Sequence, residues 1–168
     1  SADFYCPARP KYVSLPEKSS GAVVIMNKGI FREYDIRGVY GRDFDLSDVE
    51  KLGRAYGAYL GEKGGTTAAV GRDCRLSSDD VAGVFITALA GTGVQVIDIG
   101  VGPTPLLYFA VRSLKLDGGV MITASHNPPE YNGFKVCLGP EAIFGREIQR
   151  LGELASAGRF PEKKGAIE

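Results

Sequence analysis

The sequence of 168 residues has no net formal charge and only one histidine. Zero net charge excludes a nucleic-acid binder that relies on bulk positive charge and leaves room only for a local basic patch. No apolar run is long enough to cross a membrane, and the N-terminal residues, with Asp3 and early prolines, do not form a secretory signal peptide. We therefore expect a cytoplasmic protein, or a piece of one, that has no nucleic-acid or membrane partner.

The three cysteines, Cys6, Cys74 and Cys137, are an odd number at wide and irregular spacing. No C-x-x-C pair is present, so the sequence indicates neither a disulfide framework nor a structural zinc site. We expect three reduced cysteines, as in a cytosolic protein.

The chain divides into an extension, a central domain and a tail. Residues 1–28 are rich in proline and serine and are predicted to be an N-terminal extension, in which Ala22–Met26 forms a short strand or an anchoring arm. Residues 29–150 carry the periodic apolar pattern of one α/β domain, and residues 151–168 become a polar tail.

Within the domain, hydrophobic periodicity predicts four helices and four strands. Ser47 is a plausible cap of the first helix, Ser77 and Asp80 resemble a capping box before the second, and Gly91 is a natural stop for the second. The predicted helices are 47–60, 77–91, 103–115 and 145–158, and the predicted strands are 66–73, 94–100, 118–125 and 133–138.

Two proline and glycine signals refine this pattern. Pro105 is expected at the first helical position of the third helix, and Asn132-Gly133 is a turn signal before the last strand. In that strand, Phe134 and Val136 are predicted to share one face, with Lys135 and Cys137 on the other.

The order strand–helix–strand–helix–strand predicts parallel pairing with right-handed crossovers. The last two strands are joined by only about eight residues, too few for a crossover, so the last strand is expected to run antiparallel. The predicted fold is a three-layer α/β/α domain with a mixed four-stranded sheet: three parallel strands and one antiparallel edge strand. Residues 71–78, 100–105 and 124–129 then meet at the carboxyl edge of the sheet, where open α/β folds bind ligands, and Lys135 lies close by.

The segment Ser125-His126-Asn127 has two readings. It is either a nucleophilic or phosphorylated serine on a loop stiffened by Pro128 and Pro129, or a polar turn whose side chains bond the local backbone. Serine acyl chemistry is disfavoured, because the sequence has no G-x-S-x-G and its only histidine is the serine's neighbour.

Phosphoryl transfer fits the segment better, because it requires mainly positioning and charge stabilisation. A phosphoserine would need nearby cations. The candidate cations are Arg37, Arg72, Arg75 and Lys135.

Other phosphate and metal motifs are absent or incomplete. There is no Walker motif, Gly91-Thr92-Gly93 follows a helix rather than a strand, and Gly100-Val101-Gly102 lacks the third glycine of a dinucleotide fingerprint. No acidic cluster has convincing metal-ligand spacing; Asp43 and Asp45 flank Phe44 in a predicted loop before a helix.

Four stretches together resemble the α-D-phosphohexomutase family, and most closely its bacterial phosphomannomutase/phosphoglucomutase members. They are FREYDIRG (Phe31–Gly38), GRDCRLS (Gly71–Ser77), VGPTPLLYFA (Val101–Ala110) and TASHNPPEYNGFK (Thr123–Lys135). The last is the most specific, and their order along the chain matches the first of the family's four domains. The resemblance therefore implies that 29–150 is domain I and that 151–168 leads towards an absent second domain.

The resemblance also implies a mechanism. Ser125 would be phosphorylated and would pass its phosphoryl group to a hexose monophosphate, giving a hexose 1,6-bisphosphate that returns its other phosphate, and the phosphoserine would complete the coordination of Mg²⁺. His126 and Asn127 would shape the phosphate pocket, and Tyr34 would line it. Lys135 and Arg37 would stabilise charge or assist proton transfer.

The resemblance further implies a supporting role, without direct contact with the phosphate, for Arg72, Asp73 and Arg75. The aspartate-rich metal loop, the sugar-specificity residues and the distal phosphate site belong to the other three domains. The resemblance thus implies that this chain alone lacks mutase turnover and needs the remaining domains of a parent enzyme as partners.

Two other classes stay open on the residues alone. The same sheet edge would serve a noncatalytic α/β module that binds phosphate or a partner surface. The weakly patterned residues 1–28 would suit a structural interaction domain.

Overall fold

A mixed β-sheet forms the centre of the computed structural model, which describes residues 26–168. Most of the predicted extension, including Cys6 and all of Ala22–Met26 except Met26, lies outside the described residues. The strands are β1 (Ile36–Val39), β2 (Thr67–Arg72), β3 (Gln95–Val101), β4 (Gly118–Ile122), β5 (Tyr131–Leu138) and β6 (Glu141–Ala142). The helices are α1 (Leu46–Glu62), α2 (Ser78–Ala90), α3 (Thr104–Ser113) and α4 (Arg146–Ala157), preceded by a short 3-10 turn at Lys28–Ile30.

The strand order is β1-β5-β4-β2-β3, with β6 beside β5. The predicted α/β class with a mixed sheet is confirmed: β2 is parallel to β3 and β4, and β5 is antiparallel to β4. The sheet has six strands in the described part of the chain rather than the predicted four, and β5 is not an edge strand. The reason is β1, which pairs antiparallel with β5 from Ile36 opposite Phe134 to Val39 opposite Tyr131.

Helices cover both faces of the sheet. The larger apolar cluster joins side chains of α1, α2 and α4 to one face, and the smaller cluster joins α3 to the other. The predicted alternation in β5 is confirmed, because Phe134 and Val136 belong to the larger cluster and Cys137 to the smaller. These two buried layers hold the strands whose carboxyl ends carry the candidate site.

The N-terminal ends of two helices differ from the predicted caps. Asp45, not Ser47, caps α1: its carboxylate accepts from the backbone N–H groups of Ser47 (2.8 Å) and Asp48 (3.2 Å), and the Asp48 side chain completes a capping box. Ser77 precedes α2 but makes no side-chain cap bond. Its hydroxyl instead accepts a hydrogen bond from the Asn132 side chain, 2.9 Å away.

The sequence predicted the end of α2 correctly and the start of α3 to within one residue. Helix α2 ends at Ala90 with Gly91 as its C-cap, as predicted. Pro105 is the second rather than the first residue of α3, because the helix begins at Thr104.

Asn132-Gly133 is not a turn, because both residues lie inside β5. The chain reverses earlier, where the Tyr131 N–H donates to the Pro128 carbonyl (3.0 Å). Gly133 instead allows β5 to lie close to β1, because a Cβ at this position would lie 2.2 Å from the Ile36 carbonyl oxygen.

The C-terminal part of the described chain packs against the domain. Position 150, the predicted end of the domain, falls inside α4, and Ile148, Leu151 and Ala155 of that helix are buried in the larger cluster. Lys163 and Gly165 donate backbone hydrogen bonds to the end of α2, and residues 166–168 follow the outer edge of β3 through backbone hydrogen bonds. No helix among residues 26–168 has the length and apolarity needed to cross a membrane.

Candidate functional site

Three loops at the carboxyl edge of the parallel strands enclose an open cleft of about 550 Å³. They follow β2, β3 and β4. The first two contribute residues 73–76 and 102–104 to the lining, and the third contributes Thr123, Ser125, Asn127 and Pro129. This is the edge at which the sequence predicts the site, and both Ser125 and Asn127 line the cleft.

Ser125 is presented in an unusual backbone conformation. Its φ is +56°, in the left-handed region that residues other than glycine rarely adopt, and within residues 26–168 only Lys115 shares this feature among non-glycine residues. The Ser125 N–H donates to the Thr123 hydroxyl (2.9 Å), and the serine side chain is exposed. A strained residue persists only where its surroundings hold it, and such strain is common at functional sites.

Arg75 holds the segment from Thr123 to Tyr131, which we call the serine loop. Its Nε donates to the Asp73 carboxylate at 3.1 Å, and its side chain is only 12% exposed. Its other N–H groups donate to four backbone carbonyls of the loop: Ser125 (3.0 Å), Asn127 (2.8 Å), Pro128 (2.7 Å) and Tyr131 (3.0 Å).

Asp73 anchors Arg75 in turn. Its carboxylate accepts from the Ser78 hydroxyl (2.6 Å) and from the Arg75 backbone N–H (3.1 Å). Burial alone would raise the pKa of Asp73, but hydrogen bonds from Ser78 and Thr123 and the positive charge of Arg75 lower it below its usual value. The carboxylate is therefore held ionised beneath the cleft.

Asn132, which follows the serine loop in β5, connects this strand to the start of α2. The side chain is fully buried, and its amide donates to the hydroxyls of Ser77 (2.9 Å) and Ser78 (3.1 Å). Because Ser78 also bonds Asp73, one continuous polar network connects β5, α2 and the loop after β2.

A second set of polar side chains links Asn127 to Lys135. Arg37 donates to the Asn127 side-chain oxygen (2.6 Å) and forms an ion pair with the buried Asp35. Lys135 lies 3.7 Å from the same Asp35 carboxylate. The structure thus brings together three of the predicted site residues, Arg37, Asn127 and Lys135, through an aspartate that the sequence did not single out.

Two predicted site residues are placed less centrally. The His126 Nδ1 lies 3.4 Å from the Ser125 hydroxyl, but both side chains are exposed. Tyr34 is 71% exposed, and its ring contacts Phe144 at 6.4 Å between centroids. Tyr34 is not among the residues that line the cleft, and neither are Arg37, Lys135 and His126.

Arg72 and Arg75 are not available as phosphate ligands in this arrangement. Arg72 is buried, and its guanidinium is bound by Asp79 at 2.5 Å and by Asp98 at 3.0 Å. Arg75 is engaged by the serine loop as described above. Of the four cations that the sequence offered, Arg37 and Lys135 are left near the loop with fewer partners.

The side chains of residues 26–168 do not form a magnesium site by themselves. Among residues 26–168, no group of three or more histidine, cysteine, aspartate or glutamate side chains is arranged to hold a metal ion. Asp43 accepts from the Val39 N–H and from Arg42, and Asp45 caps α1, so both have structural partners.

Cys74 and Cys137, the cysteines of the described residues, are free thiols. Cys74 is exposed in the cleft wall, whereas Cys137 is buried. Burial raises the pKa of the Cys137 thiol to about 12, so this thiol stays protonated.

Sequence reasoning missed Asp35, Thr123 and Asn132 as parts of the site. Asp35 and Asn132 lie inside the quoted stretches FREYDIRG and TASHNPPEYNGFK. The sequence shows polar residues beside strand residues at these positions, but it does not reveal which distant residues they bond.

Comparison with known proteins gives a consistent family. A family profile described as "Phosphoglucomutase/phosphomannomutase, alpha/beta/alpha domain I" matches residues 28–156. A phosphomannomutase/phosphoglucomutase of Pseudomonas aeruginosa is 42% identical over 139 residues, which cover 83% of this chain and 30% of that protein. A phosphoglucomutase of Neisseria gonorrhoeae is 39% identical over 144 residues, covering 84% and 31% respectively.

A solved structure agrees with these relatives. The crystal structure of a phosphoglucomutase/phosphomannomutase family protein from Burkholderia thailandensis superposes with a TM-score of 0.79 at 40% identity. The match covers 83% of this chain and 32% of that one. The chain therefore spans about a third of the length of the relatives that it matches.

Proposed function

Because the chain belongs to the phosphoglucomutase/phosphomannomutase family and matches its α/β/α domain I, we propose that Ser125 carries the phosphoryl group of a hexose phosphate mutase. The substrates would be hexose 1-phosphates and 6-phosphates of the mannose or glucose type. The relatives named phosphomannomutase and phosphoglucomutase support this substrate class.

The observation that carries the proposal is the presentation of Ser125. Its hydroxyl is exposed at the carboxyl edge of the parallel strands, on a loop that is held by backbone hydrogen bonds, and its left-handed φ of +56° is a strained conformation. A polar turn that only bonded its own backbone would not need an arginine from another loop to hold it. The geometry therefore favours a reacting serine over the alternative reading.

The proposed reaction is a reversible phosphoryl transfer. The bond from the Ser125 oxygen to phosphorus breaks while a sugar hydroxyl oxygen bonds to the phosphorus. The sugar hydroxyl gives up its proton, and the serine oxygen takes one up. The product is a hexose 1,6-bisphosphate, and return of its other phosphate to Ser125 gives the isomeric monophosphate. Such a transfer is accelerated mainly by positioning and by stabilisation of spread negative charge.

Arg37 and Lys135 are the proposed cations. Arg37 is fixed between Asp35 and Asn127, so its charge is already oriented before any substrate binds. Lys135 is within 3.7 Å of Asp35 and keeps a more exposed ammonium group that would stabilise charge or assist the proton transfer. His126 and Asn127 would shape the phosphate pocket, and Tyr34 would contact substrate from the rim.

We also propose that Mg²⁺ and a hexose 1,6-bisphosphate activator take part, as in the family that the sequence resembles. When bound, Mg²⁺ would neutralise phosphoryl oxygens. The described residues supply no further cluster of metal ligands, so the phosphate on Ser125 would be their only contribution. The other ligands, the sugar-specificity groups and the distal phosphate site would come from the remaining domains of a cytoplasmic parent enzyme.

Phosphate mapping tests the proposal. The purified chain is incubated with a hexose 1,6-bisphosphate and Mg²⁺, and its intact mass and phosphopeptides are measured. We expect one phosphate on Ser125 that is absent from S125A and present in S113A, a control that removes another exposed serine hydroxyl. Phosphate on any other residue, or an equal gain of mass in S125A, would contradict the proposal.

The same chain should show negligible mutase turnover. Steady conversion of a hexose 1-phosphate to its 6-phosphate by these 168 residues alone would contradict the assignment of the missing steps to other domains. A chain that binds hexose phosphate equally well with and without the Ser125 hydroxyl, and never becomes phosphorylated, would favour the noncatalytic binding module.

A further inference from the structure

We propose that Arg75 is a positioning residue for Ser125, acting through the backbone of the serine loop rather than on the phosphate. The residues alone offered Arg75 as a cation for the phosphate, whereas the family resemblance implied a supporting role; the hydrogen bonds of Arg75 favour the supporting role. The importance of this role for catalysis rests on the proposed function of Ser125. The four hydrogen bonds from Arg75 to the serine loop, which we call the clamp, do not depend on that function.

The hydrogen bonds of Arg75 use its full donor set. A guanidinium has five N–H donors in a planar fork. One is directed at Asp73, and the remaining four positions are matched by the four loop carbonyls. A side chain with all its donors occupied and only 12% exposed has no free N–H to offer a phosphate.

One of these acceptors is the carbonyl of Ser125 itself, 3.0 Å from Arg75 Nη2. This bond orients the peptide group that follows the serine. The Thr123 hydroxyl orients the preceding one by accepting from the Ser125 N–H at 2.9 Å. Together they fix both sides of the residue whose φ is +56°, which explains how the strained conformation is maintained.

The loop has other restraints besides Arg75: the Thr123 N–H donates to the Gly133 carbonyl (2.9 Å), and Arg37 donates to the Asn127 side-chain oxygen (2.6 Å). Its internal backbone bonds run from the Asn127 N–H to the Ala124 carbonyl (3.1 Å) and from the Tyr131 N–H to the Pro128 carbonyl (3.0 Å). The Glu130 carbonyl also accepts from the Tyr40 N–H (3.0 Å). Loss of four carbonyl bonds from Arg75 should therefore loosen the loop and leave the apolar clusters intact.

Amide hydrogen exchange of the full chain, resolved by NMR, tests this inference. The variants are R75A, R75K and the control R112A, which removes an exposed arginine on α3. We expect the Ser125, Asn127 and Tyr131 amides to exchange at least tenfold faster in R75A, while buried amides of α2 and β4 change less than twofold. R75K should restore part of the protection, because an ammonium keeps the charge but lacks the planar fork. R112A should match the wild type.

Two outcomes would overturn the clamp: unchanged exchange in the serine loop of R75A, or an equal increase at the buried amides, which would indicate a general loss of stability. A second measurement follows the rate of phosphate incorporation on Ser125. Where the wild type incorporates phosphate, the rate should fall at least tenfold in R75A and recover partly in R75K. A loosened loop with an unchanged rate would overturn the positioning role. A wild type that takes up no phosphate would count against the proposed function instead, and the exchange data would still decide the clamp.

Discussion

Two of the clefts formed by residues 26–168 are nearly equal in size but differ in how their polar groups are held. The cleft beside Ser125 measures about 550 Å³, and a second cleft of about 560 Å³ lies between the end of α1 and the start of α4. The second is the more highly charged, with Glu62, Lys63, Glu147 and Arg150 among its lining residues. Neither size nor the number of charges distinguishes the proposed site.

The difference lies in burial and in the type of partner. In the second cleft, Arg150 pairs with Glu62 at 2.6 Å, but these side chains are 45% and 43% exposed, so the charges neutralise each other in solvent. Beside Ser125, Arg75 is only 12% exposed and bonds backbone carbonyls of a distant loop. A largely buried side chain that bonds the backbone of a distant segment can orient a reacting group, whereas an exposed ion pair does not. The comparison leads to three predictions of decreasing size.

The largest effect is expected for G133A. The added Cβ would lie 2.2 Å from the Ile36 carbonyl oxygen, which is backbone and cannot rotate away, so β1 must move. Overpacking of this kind costs about 3 kcal/mol of the free energy of unfolding. Urea unfolding measures it. The matched control is G61A in α1, where no atom lies within 4 Å of the added Cβ. There alanine should stabilise the helix by about 1 kcal/mol. Equal effects of the two changes would contradict the strand contact.

An intermediate effect is expected for D73N, which removes the charge that anchors Arg75. Loss of the charged hydrogen bonds should lower the free energy of unfolding by about 2 kcal/mol at neutral pH. The pKa of Asp73 is lowered in the folded state, so its carboxylate stabilises the fold above the unfolded pKa of about 3.9. That contribution is lost as the pH falls through the folded pKa.

The difference between wild type and D73N should therefore be full at neutral pH and shrink below about pH 4. Comparing the two proteins isolates Asp73 from other aspartates with lowered pKa values, such as Asp45 and Asp117. Urea unfolding at several pH values provides the measurement. A difference that stays constant down to pH 2 would contradict the ionised anchor.

The smallest effect is expected for R150A in the second cleft. Exposed ion pairs contribute little, so the free energy of unfolding should change by less than about 0.5 kcal/mol. The change should be smaller still at high salt, because salt screens exposed charges. A loss above about 1 kcal/mol would mean that the polar groups of the second cleft are held as firmly as those beside Ser125.

Much of the fold could be predicted from sequence because its signals are local. The apolar runs of β2, β3 and β4 and the periodic helices between them predict parallel strands, and these place the loops of Asp73 and Ser125 at one edge. Strand β1 was missed because its four residues, Ile36–Val39, include Arg37 and Gly38 and carry no apolar pattern of their own. Its partner strand lies about a hundred residues away in sequence, at Tyr131–Leu138.

The details of the site depend on contacts between distant residues. The position of Ser77 before α2 predicts a helix cap. Its hydroxyl instead accepts a hydrogen bond from Asn132, which lies 55 positions further along the chain. The residues around Arg75 predict a cation available to a phosphate, but four of its acceptors are backbone carbonyls 50 or more positions away in sequence. The roles of Ser125, Lys135 and Arg37 in phosphoryl transfer remain predictions, and the geometry described above supports them.

The most direct test of the contrast between the two clefts is an NMR titration of the chain with a millimolar hexose 1,6-bisphosphate. We expect backbone amide shifts at residues 73–76, 102–104 and 123–129, with residues 62–63 and 146–153 unaffected. Shifts centred on the second cleft, or on neither cleft, would contradict the claim that the serine loop forms the phosphate site.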